Sequence, residues 1–426
     1  MTVLRSSRTR LLGISLAYFM VLLDMTVLSV AEPDLAESLR TSISGLQWVT
    51  TGYTVAFGAL LLSAGAVADR YGADRVFRAG VTVFGVGSLL SSFAPTLSLL
   101  VVLRVVLGVA AAACVPASLA MIARLYPIPA ERTRAVATWA AISGAAVAAG
   151  PIIGGALVDL AGWPAIFLVN VPITVVVLGM TAGPELRCPR GDRRIDWAAQ
   201  AAACAVLALT TDALVAIGSP LHAVLSGAAT VLAGFVFVRL EKRSSAPVLN
   251  PVLLRSGEVR AGLLVGGAVN FALNGCLFVI PLLLRQDHGL AAGIVFLPLT
   301  LPFALIPPLT GRIVARYGPR PPILVGMVLL TAGGVALSAG ALSLGLAVTG
   351  LGVALVLPAL VTAVVNAAPE GTAGAAGGVL NAARQSGATL GVAAMGSALP
   401  LGAAPALLLS AVVCAIALAL SRKMYQ

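Results

Sequence analysis

Long, nearly uninterrupted apolar runs dominate the chain, broken at intervals by short polar stretches. Runs near 11–31, 46–68, 76–95, 98–123, 135–158, 163–182, 197–217, 220–240, 261–284, 290–311, 321–339, 342–365, 374–398 and 402–420 hold few charges. Each is close to the roughly 20 residues that a helix needs to cross about 30 Å of hydrocarbon. The pattern therefore predicts fourteen transmembrane helices. Strands of about ten alternating residues, the sign of a membrane barrel, are missing, and Gly and Pro inside apolar runs fit helices packed on helices. The connections average about nine residues, which leaves no room for a large soluble domain. The first run holds Asp24 and lacks a small-residue cleavage site, so it reads as a retained helix rather than a cleaved signal peptide. An even number of spans places both termini on one side.

Composition agrees with this reading. Of 426 residues, 59% are hydrophobic and 10% charged, against about 25% charged in soluble domains. The net charge of +11 would fit nucleic acid in a soluble protein, but in a membrane chain it orients the loops, and a nucleic-acid partner is not expected. With the N-terminus in the cytoplasm, the inner segments carry Arg5, Arg8 and Arg10; Arg70, Arg75 and Arg78; Arg124, Arg132 and Arg134; Arg187, Arg190, Arg193 and Arg194; Arg239, Lys242, Arg243, Arg255 and Arg260; Arg312, Arg316 and Arg320; and Arg422 and Lys423. Only Arg40 and Arg285 fall outside, and only Arg104 and Arg384 within helices. A missed or invented helix would scramble that asymmetry. Cys114, Cys204, Cys276 and Cys414 lie in apolar runs and Cys188 in a loop, without paired spacing, so neither a disulfide framework nor a metal site is expected. His222 and His288 stand far apart, which disfavours a histidine-based metal centre or relay.

An internal echo organises the spans. Gly65-Ala-Val-Ala-Asp-Arg-Tyr-Gly72 recurs as Gly311-Arg-Ile-Val-Ala-Arg-Tyr-Gly318, each at the inner end of an even-numbered helix. Transporters are built from such repeats, with the substrate site at the repeat interface. Six-helix halves at 1–182 and 261–426 follow, with an inserted helix pair and its loops at 183–260.

Several motifs together resemble the major facilitator superfamily, and within it the fourteen-helix branch of drug:proton antiporters. Leu23 to Pro33 is similar to the L-D-x-T-V-x-N-V-A-L-P signature, with Asp24 and Pro33 kept, Ser29 where Asn is usual and Glu32 where Leu is usual. Trp48 to Tyr53 resembles the opening of helix 2. Gly65 to Gly72 matches the loop G-x-L-A-D-R-x-G, although Ala73 and Asp74 stand where the family has basic residues. Arg104 to Gly108 resembles R-x-x-Q-G, with Leu107 in place of Gln. Gly150-Pro-Ile-Ile-Gly154-Gly155 looks like the antiporter motif G-P-x-x-G-G, and Phe167 to Pro172 and Asn381 to Gly387 fit helices 6 and 13 of the branch. The resemblance covers nearly the whole chain. It implies an all-α membrane fold, alternating access of two halves, a conformational latch at Gly65, Asp69, Arg70 and Gly72, and export rather than import from Gly150, Pro151, Gly154 and Gly155.

The residues themselves narrow the chemistry. A carboxyl inside a membrane helix has its charged form disfavoured and is rarely kept as filler, so Asp24 is a candidate for proton coupling or a structural interhelical bond. Arg104 in helix 4 poses the same problem with opposite sign and is its expected partner. Glu32 reads as a solvated helix-end residue or as a second proton-coupling group in an outward mouth. Asp212 is expected to be structural, and Arg384 to reach the interface by snorkelling, with a gating or cavity role as the alternative. Glycines near Pro151 allow a kink and close helix approach, an alternative role to directing transport. Met20, Met25, Tyr53, Asn170, Asn270, Asn274, Asn381 and Gln385 are cavity candidates or helix-helix contacts, with Asn270 and Asn274 on one face of helix 9. The expected activity is proton-coupled export of small amphipathic molecules across the plasma membrane by a monomer. An importer or symporter, or a non-transporting membrane partner, is the alternative. No Walker A sequence is present, no nucleophile, base or metal set supports an enzyme, and no cofactor is expected.

Overall fold

The computed structural model describes residues 2–191, 195–244, 248–249, 252–284, 289–369 and 372–424. Arg193, Arg194, Arg285 and His288 lie outside the described residues. The first part of the chain forms α1 (Thr2–Ser38), α2 (Ile43–Tyr71), α3 (Ala73–Ser91), α4 (Leu97–Leu125), α5 (Pro129–Ala161), α6 (Ala165–Leu168) and α7 (Asn170–Met180). Next come α8 (Trp197–Val215) and α9 (Pro220–Arg243). The remainder forms α10 (Gly257–Leu283), α11 (Gly289–Val295), α12 (Leu297–Leu305), α13 (Pro307–Tyr317), α14 (Arg320–Ser338), α15 (Leu342–Asn366), α16 (Ala373–Ala398) and α17 (Ala403–Met424).

Local chemistry explains where many of these helices start. Ser42, Thr96, Asp196 and Ser256 each accept an otherwise orphaned N–H of the first turn of α2, α4, α8 and α10. Proline opens α5, α9 and α14, where its missing N–H costs nothing.

Helix runs through all fourteen apolar stretches, but length and apolarity qualify nine of the described helices as able to cross a membrane. The count reaches 11 if two bent pairs, the two pieces of α2 and α12 with α13, are each one span. This is a smaller number than the run pattern predicts. The difference falls on three places. α3 opens with Asp74, Arg75 and Arg78; α6 and α7 together cover only Ala165–Met180, about 24 Å at 1.5 Å per residue; and α16 mixes Asn381, Arg384, Gln385 and Thr389 with small residues. Polar groups that face a bundle interior lower the apolarity of a helix without exposing it to lipid.

Packing repeats between the two ends of the chain. α1 lies along α5, α2 and α3 along α4, and α7 against α1 and α3; likewise α10 lies along α16, α12 to α14 along α15, and α17 against α10 and α14. Between these sets, α2 meets α16, α5 meets α11 and α12, and α1 meets α10. α8 pairs with α9 and touches both α2 and α16. The interior holds Phe57, Phe77, Phe84, Phe167, Phe278 and Phe296, whereas Val175, Leu221, Val231 and Leu305 stand exposed as a lipid-facing exterior would.

The echoed loop has the same local structure in both places. Gly72 and Gly318 end their helices at φ +93° and +80°, a conformation that L side chains rarely adopt. Arg70 lies over the Tyr71 ring and Arg316 over the Tyr317 ring. At the first site the loop after α7 closes over the turn. Gly191 N donates to Asp69 O at 2.8 Å and Cys188 N to Asp74 Oδ1 at 2.9 Å. Asp74, which departs from the family pattern, thus holds a neighbouring loop by its backbone.

The two seams between the helix sets are closed at one end and open at the other. Away from the arginine-rich end, Gln47 of α2 donates to Val392 O and Ala393 O of α16 at 3.1 and 2.8 Å. Thr389 bonds Thr54 at 2.8 Å, and Gly58 lies on Gln385. On the other seam, Gly155 abuts Gly289, Gly293 abuts Pro151, and Asp159 Oδ2 accepts from Leu290 N at 2.8 Å. Towards the arginine-rich end, Gly65 of α2, Gly144 of α5, Gly311 of α13 and Gly374, Gly377 and Gly378 of α16 have no neighbour on their open side within 4 Å. At the arginine-rich end these glycines thus face open space rather than a neighbouring helix.

Candidate functional site

Asp24 lies past the middle of α1, buried, and its carboxylate is bonded from two other helices. Arg104 Nη1 of α4 donates to its Oδ2 at 2.5 Å, and Asn170 Nδ2 of α7 to its Oδ1 at 3.0 Å. Arg104 Nε donates to Val49 O of α2 at 3.0 Å. The guanidinium also sits 4.5 Å from the centre of the Tyr53 ring and 5.9 Å from that of Phe167. Both side chains are buried, at 1% exposure for Arg104 and 0% for Asp24. Two opposite charges out of water hold together only when further hydrogen bonds satisfy them. Here Asn170, the Val49 carbonyl and the Tyr53 face supply that support. Ser88 extends the network, accepting from Asn170 at 3.2 Å.

The glycine motif packs directly behind this pair. Gly150 faces Thr26 and Gly154 faces the backbone of Val27, both on α1 within one turn of Asp24. Gly155 and Pro151 face α11 across the seam. One short stretch of α5 therefore touches the carboxylate-bearing helix and the opposite helix set. Added methyl groups at Gly150, Gly154 or Gly155 would meet backbone or side-chain atoms too close to accommodate.

Glu32 is not a solvated helix end. It is 2% exposed; Thr50 donates to its Oε1 at 3.1 Å, and its Oε2 is buried with no partner. α1 runs inside the bundle as far as Leu35, so a position near a helix end is still interior. Arg384 is half-buried. Its Nη1 donates to Asn381 Oδ1 at 3.2 Å, one turn back on α16, and its Nε is buried and unpartnered. Asp212 holds His222 at 2.9 Å and Ser226, joining α8 to α9.

The polar cavity candidates divide. Asn170 belongs to the ion-pair network, and Tyr53 reaches it while its hydroxyl donates to Val21 O at 3.2 Å. Asn270 and Asn274 each donate to a carbonyl one turn back on α10, so their shared face is occupied by local bonds. Met20 is buried and accepts from Thr174 at 3.4 Å, and Met25 is half-buried. Asn381 and Gln385 lie near the point where the α2–α16 seam opens, and Gln385 Oε1 has no partner. Sequence reading overlooked Tyr18 and Trp139, whose rings stack with centroids 4.5 Å apart. Two large aromatics in helices otherwise rich in small residues were the available signal. Between α5, α10, α12 and α15 the packing leaves only a cavity of about 10 Å³, lined by Val147, Leu273, Leu277, Leu299 and Phe303 among others. That is about one water's worth.

Comparison with known proteins follows this geometry. The chain is 33% identical to the multidrug resistance protein Stp of Mycobacterium tuberculosis, over 93% of this chain and 76% of that one. It is 32% identical to the tetracenomycin C resistance and export protein of Streptomyces glaucescens, over 91% and 74%, and 33% identical to the methylenomycin A resistance protein of Bacillus subtilis, over 92% and 88%. Among solved structures, a bacterial homolog of the human lysosomal transporter Spinster, inward-facing and unoccupied, superposes with a TM-score of 0.68 at 16% identity, over 99% of this chain and 96% of that one. A POT family transporter superposes with a TM-score of 0.70 at 13% identity, over 97% of each chain. The Major Facilitator Superfamily model matches residues 14–392. With its repeated helix packing, its two seams and a match over most of its length, the chain belongs to the major facilitator superfamily.

Proposed function

We propose that this protein is a proton-coupled exporter of small amphipathic molecules, working by alternating access of two six-helix halves, 1–182 and 261–426, around an inserted pair, 183–260. Fourteen spans, a plasma-membrane location with both termini in the cytoplasm, and a functional monomer belong to the same reading. The repeated packing of α1 to α7 in α10 to α17 supports the halves, and the arginine-rich end supports the orientation. The names of the drug-resistance relatives support the substrate class.

One observation carries the mechanism: the buried Asp24–Arg104 pair lies against the glycine motif that spans the seam. Proton binding to the Asp24 carboxylate removes the charge that Arg104 faces. Arg104 then keeps the Val49 carbonyl and the Tyr53 and Phe167 rings. Thr26 and Val27, on the same turns of α1, press on Gly150 and Gly154. Any shift of α1 on protonation is thus transmitted to the face of α5 that closes on α11. Packed interfaces of this kind switch between discrete arrangements rather than deform smoothly. Gly65, Asp69, Arg70 and Gly72 act as the latch at the end that is open here.

Proteoliposomes with an imposed pH gradient test the proposal, comparing amphiphile transport by wild type and Asp24→Asn. Gradient-driven counterflow by the wild type, lost in the folded variant, is the expected result. Movement of proton and solute in the same direction would replace the exporter with a symporter. Equal transport by both proteins would remove Asp24 from the coupling.

A further inference from the structure

Among the described residues, no carboxylate pairs with Arg384 of α16. Its Nη1 donates to Asn381 on its own helix, and its Nε, with almost no solvent contact, has no partner among the described residues. The acids on the packed elements are engaged or distant. Asp212 of α8 holds His222 and Ser226, and Glu258 of α10 holds Arg320. Asp69 lies in the last turn of α2, and α15 and α17 contain no acid. On α1, Asp24 serves Arg104 and Glu32 faces Thr50. A half-buried guanidinium with an enclosed, unpartnered N–H is costly.

Its surroundings are equally unspent. Arg384 stands where the α2–α16 seam changes from closed to open: Gln385, next in sequence, lies on Gly58, while Gly377 and Gly378, two turns back, face open space. The Tyr18 phenol of α1 is within electrostatic reach of the guanidinium. Tyr18 in turn stacks on Trp139 of α5 at an interplanar angle of 14°. Trp139 is 8% exposed, and its indole Nε1 is buried without an acceptor. Beside the point where the seam opens, the structure thus combines one guanidinium, two enclosed N–H donors without partners among the described residues, and a stacked aromatic pair.

We infer that this mouth takes a solute bearing an anionic oxygen, a carboxylate or ionised phenol, on a planar conjugated ring, with the anion against Arg384 and the ring along Tyr18. This deepens the exporter reading and rests on it for the site being a transport cavity. The same charge disfavours cationic amphiphiles, since an ammonium group here would meet a like charge with no carboxylate beside it. A guanidinium suits the task because it stays charged and presents a planar fork to an oxyanion.

The test is equilibrium binding to the purified full chain in nanodiscs, by calorimetry and with no pH gradient, using naphthoate, its methyl ester and naphthylmethylammonium. Naphthoate is expected to bind at least about tenfold more tightly than the ester, the margin one charge-assisted contact provides, and the ammonium more weakly than either. Arg384→Gln should abolish that preference while leaving ester affinity within about twofold, and Arg384→Lys should keep part of it. An ammonium that binds as well as naphthoate, equal affinity for all three, no binding of any, or a uniform loss in Arg384→Gln would overturn the assignment. The comparison on the wild type needs no variant to fold. Failure of gradient-driven transport with the naphthoate preference intact would sink the coupling and leave this site standing. The reverse pattern would remove only the anion preference.

Discussion

Arg104 holds Asp24 at 2.5 Å between α4 and α1, with 1% and 0% of the two side chains exposed. The geometry makes each charge the main support of the other. Losing one partner strands the other in a dry interior, which costs about 3–5 kcal/mol, whereas losing both can be nearly neutral. Asp24→Asn and Arg104→Gln alone should therefore each lower thermal stability in detergent strongly. The double variant should recover much of the loss. Strictly additive melting shifts would show that the pair is not the energetic unit described here.

Gly155 closes the seam between α5 and α11 because nothing larger fits against the Gly289 backbone. Gly155→Val should disfavour the arrangement seen here and open the far end. A cysteine introduced at Leu290, in a chain without its native cysteines, should then react roughly tenfold faster with a membrane-impermeant maleimide, as a shift of about 1.4 kcal/mol between two states would produce. Unchanged labelling would mean that the seam tolerates the side chain by local adjustment.

Opening at the arginine-rich end can be read by the same chemistry. Cysteines at Gly144 and Gly377, which face open space, should label readily from that end of the molecule. Cysteines at Gly58 and Gly387, which sit on Gln385 and on the Gly267 backbone, should be slower by roughly tenfold, or fail to fold. Equal rates at the four positions would contradict the asymmetry of the seams.

Asp74 links the turn between α2 and α3 to the loop after α7 by accepting the Cys188 N–H. Burial pushes the Cys188 thiol above its ordinary value, which keeps it largely protonated at neutral pH and slow to alkylate. Asp74→Ala should free the loop, expose the thiol and speed its alkylation several-fold, with helix content unchanged by circular dichroism. No change in rate would assign the protection of Cys188 to other contacts.

Asp196 caps α8, and its carboxylate is held below the usual range, first by the Ala199 N–H. A depressed carboxylate contributes stability that is present above its unfolded value and is lost as pH falls through the folded one. Asp196→Ala should cost about 1 kcal/mol at neutral pH. The cost should shrink as the medium is acidified below the ordinary carboxylate range. A penalty independent of pH would mean that the cap acts without its charge.

Much of this architecture is local in origin and therefore readable along the chain. Whether a segment can lie in lipid depends on its own apolarity, and the arginine asymmetry depends on which loops they join, so the all-helical membrane class and the two ends of the bundle were legible from residues alone. Asp24 and Arg104 were legible for the same reason, because an ionised group in an apolar run needs a partner wherever it lies. The facing of each helix is a different kind of quantity. It is set by the sum of contacts over a whole interface, and no local pattern records it. Glu32, read as a solvated helix end or a second proton-coupling group, is interior, Arg384 is half-buried with its Nε enclosed, and Asn270 and Asn274 spend their amides on their own helix. The Tyr18–Trp139 stack joins residues from α1 and α5, far apart in the chain. Only the tertiary structure decided that the seams close at one end and open at the other, because that choice is made by which glycines meet a neighbour across two halves, and not by any property of either half alone.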